Sequence, residues 1–149
     1  PFNVYGPGML ENDYRVIPNF VSTIICNNPI SIYGDGTQTR TFCYITDAIV
    51  GFMSVLLDGV SPEAYNIGNP VPEITMLDLV KVFSNILGKK LPYNLIEHPS
   101  SYPKDEPIRR CPNIRKASIQ LDYTPTVSLE EGLSRFLKWA QSYYKRPSK

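Results

Sequence analysis

The segment at residues 32–47, IYGDGTQTRTFCYITD, constrains the fold of this 149-residue chain more than any other. An apolar run ends immediately before the motif GDG at residues 34–36, and alternating residues follow the motif. Two glycines around an aspartate are typical of a tight turn, because glycine adopts the positive φ angles that turns often require. The segment therefore predicts a glycine hairpin between strands at residues 30–33 and 39–44, with Arg40 delivered beside the turn.

The rest of the sequence predicts a mixed α/β unit with short strands and about five helices. Helices are predicted over residues 15–27, 46–58, 75–87, 114–121 and 128–144, further strands over residues 2–5, 64–68 and 91–96, and a long ordered loop over residues 98–113. Thr75 and Ser128 are predicted as helix caps, since an acidic residue follows each of them three positions later. The apolar run at residues 48–57 predicts a buried helix face. Residues 1–149 are thus expected to form one domain with one modest core.

The composition argues against several classes of protein. The net charge is +1, and the lysines and arginines form no run of the kind that binds nucleic acid. No apolar segment has the length of a membrane span. Three widely spaced cysteines and a single histidine, His98, predict neither a metal site nor a disulfide framework. We therefore expect a cytoplasmic protein with reduced thiols and with no nucleic-acid or membrane partner.

Three residues near the two glycine turns are candidates for ligand binding. The guanidinium of Arg40 could bind two oxygens of a diphosphate, and the ring of Tyr33 could pack on a base or ribose. The alternative for Arg40 is a solvated surface residue. Strand alternation places Asn3 opposite its apolar neighbours, where its amide could donate to a phosphate or sugar oxygen. The alternative for Asn3 is turn capping before Gly6.

Further candidates lie later in the chain. Arg109 and Arg110, in DEPIRRCPNIRKA, could form a second diphosphate-binding pair, or they could balance the charges of Asp105 and Glu106 at the surface. Asn66, in YNIGNP, could cap a turn or contact the ligand. The sequence contains neither a glycine-rich dinucleotide fingerprint that opens a helix nor a helical Tyr-x-x-x-Lys pair. The chain is therefore expected to bind a ligand without carrying the residues for proton transfer.

Several segments together resemble one family. PFNVYGPGM at residues 1–9 resembles the segment that follows the catalytic helix in extended short-chain dehydrogenase/reductases. Residues 15–49, YNIGNP at 65–70 and residues 113–133 resemble the substrate domain of the same enzymes, in the same order. The combination resembles the NAD-dependent NDP-sugar epimerase/dehydratase family, and DEPIRRCPNIRKA is most similar to its UDP-glucuronate decarboxylase branch.

The resemblance implies an α/β fold that is the C-terminal substrate-binding portion of a Rossmann-type parent. The N-terminal Rossmann half, which binds most of the NAD, is expected to be absent from this chain. The residues implied to border the substrate are Asn3, Arg15, Val16, Tyr33, Arg40, Asn66, Arg109 and Arg110. By resemblance, Arg40 and Arg110 bind the diphosphate, Tyr33 lies along the base or ribose, and Asn3 is adjacent to the nicotinamide. Arg110 could also lie beside the sugar carboxylate.

The resemblance also implies a function. Enzymes of this family remove a hydride from the sugar with NAD, change the resulting keto-sugar, and return the hydride. This chain is expected to bind a UDP-sugar or another NDP-sugar, to be inactive alone, and to belong to a homodimeric parent. Two alternatives remain open. The chain could be a non-catalytic module that binds a nucleotide sugar or a protein, or a fragment that associates through exposed apolar surface.

Overall fold

The computed structural model describes residues 1–98 and 107–144, over which helices alternate with short strands. The helices are α1 (Val16–Ile25), α2 (Ile45–Asp58), α3 (Met76–Leu87), α4 (Arg115–Leu121) and α5 (Leu129–Tyr143). The strands are β1 (Val4–Tyr5), β2 (Ile30–Tyr33), β3 (Thr39–Arg40), β4 (Cys43–Tyr44), β5 (Ile74–Thr75), β6 (Tyr93–Ile96) and β7 (Arg109–Arg110). The predicted mixed α/β fold is confirmed.

The helix boundaries follow from local chemistry. The hydroxyl of Thr75 accepts a hydrogen bond of 3.0 Å from the backbone N–H of Asp78, and that of Ser128 accepts one of 3.2 Å from Glu131. Each bond satisfies a donor that the first turn of a helix leaves unpaired. Helix α3 ends at Gly88, which adopts the left-handed conformation with φ of 62°. The predicted caps at Thr75 and Ser128 are confirmed.

The predicted hairpin around the GDG motif is wrong. β2 pairs in parallel with β6, whereas β3 pairs antiparallel with β5 and in parallel with β7. Gly34 and Gly36 do adopt positive φ angles of 69° and 75°. The Asp35 carboxylate accepts hydrogen bonds from the backbone and the hydroxyl of Thr37, and this loop carries the chain from one sheet into another. The segment predicted as one strand at residues 39–44 divides into β3 and β4.

The predicted strand at residues 64–68 is also wrong. Its contact with the start of the chain is a hydrogen bond of 2.9 Å from the Phe2 N–H to the Ile67 carbonyl, which does not extend into a ladder. Within the predicted loop at residues 98–113 the structure has β7, and residues 99–106 of that loop lie outside the described part of the chain.

Two apolar clusters hold the fold together. The larger cluster joins α1, α3 and α5, and its fully buried members include Val21, Leu79, Phe83 and Phe136. The smaller cluster packs α2 against α4, and it comprises Cys43, Ala48, Ile67, Ala117, Leu121 and Tyr123. The loop before α5 is fastened to α2 by Asp47, whose buried carboxylate accepts hydrogen bonds from the backbone N–H groups of Thr126 and Val127 at 3.1 and 3.0 Å.

Helix α2 corrects the prediction that residues 48–57 form a buried helix face. Only Asp47, Ala48 and Gly51 of this helix are buried. The exposed apolar residues of α2, with 43–75% of their surface accessible, are Ile49, Val50, Phe52, Met53, Leu56 and Leu57. Periodicity showed that the helix is apolar, but within the described residues that face is exposed rather than packed. None of the described helices has both the length and the apolar character needed to cross a membrane.

Candidate functional site

A cavity of about 770 Å³ opens between α1 and the sheets formed by β2 and β3. Its floor is apolar and includes Ile17, Phe20, Ile32, Phe42 and Met76, which also belong to the larger core or pack against it. Its polar lining comprises Asn3, Tyr14, Arg15, Asn19, Ser31, Tyr33, Gln38, Arg40 and Arg110. A concave, mostly apolar site with a few converging polar groups has the character of a small-molecule pocket.

Arg40 and Arg110 lie side by side in this cavity. The parallel register of β3 and β7 pairs Arg40 with Arg110, so both side chains emerge on the same face of the sheet. Arg40 has only 8% of its surface exposed, which makes the surface interpretation of this residue wrong. Its Nη1 donates hydrogen bonds to the carbonyls of Thr39 at 2.8 Å and Ile108 at 3.1 Å. The guanidinium of Arg40 is therefore held within the sheet and is not exposed to solvent.

The two arginines give the cavity its charge. Two guanidinium groups on adjacent strands bring positive charge to the wall of the cavity. Planar guanidinium donors suit the several oxygens of a diphosphate, with charge-assisted bonds that are stronger than neutral ones. The site can therefore attract and orient an anionic group.

Tyr33 forms an aromatic part of the lining, and His98 lies against it. The two rings stack with centroids 5.7 Å apart and planes inclined by 24°. His98 was considered in the sequence only as a metal ligand and rejected, yet the pairing of Tyr33 with Ile96 places residue 98 two positions beyond the partner of Tyr33. Gly34 makes this approach possible, since a Cβ there would lie 3.0 Å from His98 Nε2. Gln38 completes this wall by donating to the Tyr33 carbonyl at 3.0 Å.

Asn3 lines the cavity from the position just before β1, and its neighbour Val4 lines the same cavity, so the prediction that strand alternation sets Asn3 opposite its apolar neighbours is wrong. Its backbone has a φ of 44°, a conformation that asparagine tolerates better than most residues. Its side-chain amide donates a 2.8 Å hydrogen bond to the carbonyl of Thr41. The amide donor therefore fastens the segment before β1 to the connection between β3 and β4, instead of capping the turn at Gly6.

Arg15 and Val16 border the cavity at the start of α1. The Asp13 carboxylate accepts hydrogen bonds from the backbone N–H of Arg15 at 2.9 Å and from its Nε at 3.0 Å, and it forms an ion pair with the same guanidinium. These bonds to Arg15 lower the pKa of Asp13 below its ordinary value. Because 55% of the Arg15 side chain is exposed, this residue lies at the rim of the cavity.

Two sequence candidates are not brought to the cavity. Asn66 donates its side-chain amide to the carbonyl of Asn113 at 3.1 Å, which links two loops. Arg109 lies on the opposite face of β7 from Arg110 and forms an ion pair with Glu73. The predicted partners of the arginine pair, Asp105 and Glu106, lie outside the described residues. Residues 1–98 and 107–144 hold no group of three or more His, Cys, Asp or Glu side chains that could bind a metal ion.

Comparison with known proteins shows which enzymes this chain resembles. Residues 1–68 match the model of the NAD dependent epimerase/dehydratase family. UDP-glucuronic acid decarboxylase 1 of Arabidopsis thaliana is 42% identical over 137 residues, which are 91% of this chain and 30% of that protein. UDP-glucuronic acid decarboxylase 1 of Danio rerio is 34% identical over 140 residues, which are 93% of this chain and 32% of that protein.

Solved structures give the same result. UDP-glucuronic acid 4-epimerase from Bacillus cereus, in complex with UDP-glucuronic acid and NAD, has a TM-score of 0.84 and 34% identity, covering 96% of this chain and 44% of its own. UDP-glucose 4-epimerase from Thermotoga maritima, with UDP-glucose, has a TM-score of 0.85 and 25% identity, covering 97% of this chain and 45% of its own.

The class that these matches define is the NAD-dependent, Rossmann-type enzymes that modify nucleotide sugars. Residues 1–68 correspond to part of a domain of the NAD dependent epimerase/dehydratase family, and the relatives of the whole chain include UDP-glucuronic acid decarboxylases and a UDP-glucuronic acid 4-epimerase. It corresponds to the C-terminal part of these proteins. It spans about a third of the curated relatives and less than half of the solved chains described above.

Proposed function

We propose that this chain is the nucleotide-sugar-binding part of an NAD-dependent enzyme that decarboxylates, epimerises or dehydrates the sugar of a UDP-sugar or a related NDP-sugar. The observation that carries the proposal is the pairing of Arg40 with Arg110 on one face of β3 and β7, inside a cavity with an aromatic wall. A paired cationic site beside an aromatic ring supplies contacts for the diphosphate and the base of one nucleotide.

In this proposal the chain binds and orients the substrate. The diphosphate receives hydrogen bonds from Arg40 and Arg110, and the base or ribose packs along Tyr33, between that residue and the start of α1 at Val16. Asn3 lies toward the reacting end of the sugar. Binding the nucleotide in this way holds the sugar in one orientation. Such positioning of the substrate is a large part of enzyme catalysis.

NAD, when bound, supplies the hydride acceptor and donor of this chemistry. The cradle for its pyrophosphate is usually a glycine-rich turn that opens a helix. Neither glycine turn fits that role here, because α1 begins at Val16, eight residues after Gly8, and the loop at Gly36 leads into β3. We therefore assign NAD mainly to an N-terminal Rossmann half outside residues 1–149.

The proposed contact with that Rossmann half is the exposed apolar face of α2 together with the sheet formed by β1 and β4. These two strands pair in parallel, Val4 with Cys43 and Tyr5 with Tyr44. Parallel sheets normally contain more strands and have both faces covered. The unusual exposure of Leu56 and Leu57, at 75% and 73%, supports a packing partner next to this small sheet.

Calorimetry with UDP, uridine and NAD tests the proposal on the protein and three variants. We expect Arg40→Gln and Arg110→Gln each to weaken UDP binding about tenfold or more, because each removes a charge-assisted hydrogen bond of about 1.5–3 kcal/mol. Uridine, which lacks the diphosphate, should bind all forms equally. Arg135→Gln is the matched control, since Arg135 pairs with Glu131 on α5 and does not line the cavity. Equal UDP affinity in all four proteins would contradict the diphosphate assignment, and tight NAD binding would contradict the assignment of NAD.

A further inference from the structure

The outer face of the sheet β5–β3–β7 carries a side-chain network that spans all three strands. Glu73 immediately precedes β5, and its Oε1 accepts a 2.6 Å hydrogen bond from the hydroxyl of Thr39 on β3. The same carboxylate accepts hydrogen bonds from Arg109 on β7, from Nε to Oε1 at 2.9 Å and from Nη2 to Oε2 at 2.7 Å. One carboxylate therefore connects both edges of the sheet through its central strand.

Strand β7 needs such a connection more than its neighbours do. It has two residues, and among residues 1–98 and 107–144 it lies at the edge of the sheet and pairs with β3 alone. The flanking backbone hydrogen bonds are from Thr39 N–H to the Ile108 carbonyl at 2.9 Å and from Thr41 N–H to the Arg110 carbonyl at 3.3 Å. So short a ladder fixes the register of a strand weakly. The bidentate bond to Glu73 adds a constraint with defined geometry.

The inner face shows what this register controls. Successive side chains of a strand point to opposite faces, so a β7 that presents Arg109 to Glu73 also presents Arg110 to the cavity. The Ile108 carbonyl, just before β7, accepts a hydrogen bond from Nη1 of Arg40. A displacement of β7 would therefore move one of the two cavity arginines directly and remove a support from the other.

We propose that the Glu73–Arg109 ion pair is a positioning device for the nucleotide diphosphate: it holds β7 against β3 so that Arg110 and Arg40 lie side by side, and neither Glu73 nor Arg109 contacts the ligand. The inference rests on the proposed function. It changes the role of Arg109, which the sequence had placed among the residues that bind substrate directly. The hydrogen bonds from Arg109 and Thr39 also lower the pKa of Glu73, so the carboxylate stays ionised in this network near neutral pH.

The direction in which one substitution changes UDP affinity distinguishes a positioning role from simple electrostatics. Glu73→Gln removes a negative charge close to an anion-binding site, so long-range electrostatics alone would make UDP bind more tightly. Loss of the ion pair with Arg109 loosens β7, so positioning makes UDP bind more weakly. We expect Glu73→Gln and Arg109→Gln each to weaken UDP binding by about fivefold to tenfold, with uridine affinity unchanged. Glu131→Gln, which removes the exposed ion pair with Arg135 on α5, is the matched control and should leave UDP binding unchanged.

A reversed pair supplies a second measurement. The double variant Glu73→Arg with Arg109→Glu restores opposite charges across β3 and should recover UDP affinity to within about threefold of the unaltered protein. UDP binding that is normal in Glu73→Gln and Arg109→Gln but lost in Arg110→Gln would overturn this inference and leave the proposed function standing. Tighter binding by Glu73→Gln would overturn it as well. Failure of the unaltered protein to bind UDP would overturn the proposed function and this inference together.

Discussion

The region around α1, α3 and α5 and the region around α2 and α4 bury their apolar residues to different extents. In the first region, Phe83, Leu133 and Phe136 have no accessible surface, and the cavity lies directly on this packed core. In the second region the buried cluster has six residues, while Leu56 and Leu57 on α2 remain largely exposed. Both regions are rich in apolar residues, but only the first encloses them.

This difference indicates which part of the binding site the chain can form by itself. The walls of the cavity depend on α1 and β2, which carry buried residues of the larger apolar cluster, and on the neighbouring strand β3. The α2 region has the character of an interface, because a contiguous exposed apolar face marks a surface that packs against another element. In the proposed function, nucleotide binding therefore belongs to the closed region, and the proposed association belongs to the open one.

The largest predicted effect is the loss of a core aromatic residue in the closed region. Phe136 packs edge-on against Tyr5 and Tyr144 and stacks with Trp139. Phe136→Ala should lower the free energy of unfolding by about 3–5 kcal/mol, through lost burial and the cavity that remains. Urea denaturation followed by tryptophan fluorescence measures this. A loss below about 1 kcal/mol would mean that the first region is less closely packed than its burial indicates.

An intermediate effect is predicted where the two regions meet. Asp47 on α2 is buried, and its carboxylate accepts hydrogen bonds from the backbone N–H groups of Thr126 and Val127, which lead into α5. Asp47→Ala leaves those donors without the acceptor and should cost about 1–3 kcal/mol of unfolding free energy. Urea denaturation again provides the measurement, with Asp58→Ala at the end of the same helix as the control. Equal stability of both variants would argue against Asp47 as a tie between the regions.

The smallest effect on stability is predicted on the exposed face of α2. Phe52 has 43% of its surface accessible, so Phe52→Ala should change the free energy of unfolding by less than about 1 kcal/mol. Together with Phe136→Ala it forms a matched pair, in which the same substitution is made in the open and the closed region. Light scattering over a range of concentrations should show weaker self-association for Phe52→Ala. A large loss of stability with unchanged association would remove the distinction between the two regions.

Local features of this fold could be predicted from sequence, and the partners of its strands could not. The caps at Thr75 and Ser128 depend on groups three residues away, so a local sequence pattern is enough to predict them. The GDG turn was also recognised, but the sheets that its flanking strands join depend on β5, β6 and β7, which come from distant parts of the chain. A hairpin is the simplest structure that the local sequence predicts, but in the fold both strands pair instead with strands from distant parts of the chain.

The site shows the same division. Residue type alone offered Arg40 and, separately, the adjacent pair Arg109 and Arg110 as diphosphate ligands, whereas the pairing of Arg40 with Arg110 was implied by the family resemblance. Which of the two adjacent arginines, Arg109 or Arg110, faces the cavity depends on the register with β3, which periodicity in a two-residue strand cannot give. His98 was missed because its contact with Tyr33 arises from the parallel pairing of β2 with β6. Residue types indicate which chemistry a site can perform, while the pairing of strands determines which residues lie in that site.

A crystal structure of the protein with UDP tests the central claim most directly. The account predicts the diphosphate within hydrogen-bonding distance of the guanidinium groups of both Arg40 and Arg110, with the uracil or ribose along the ring of Tyr33. A diphosphate bound elsewhere, or bound in this cavity while either guanidinium points away from it, would contradict the account.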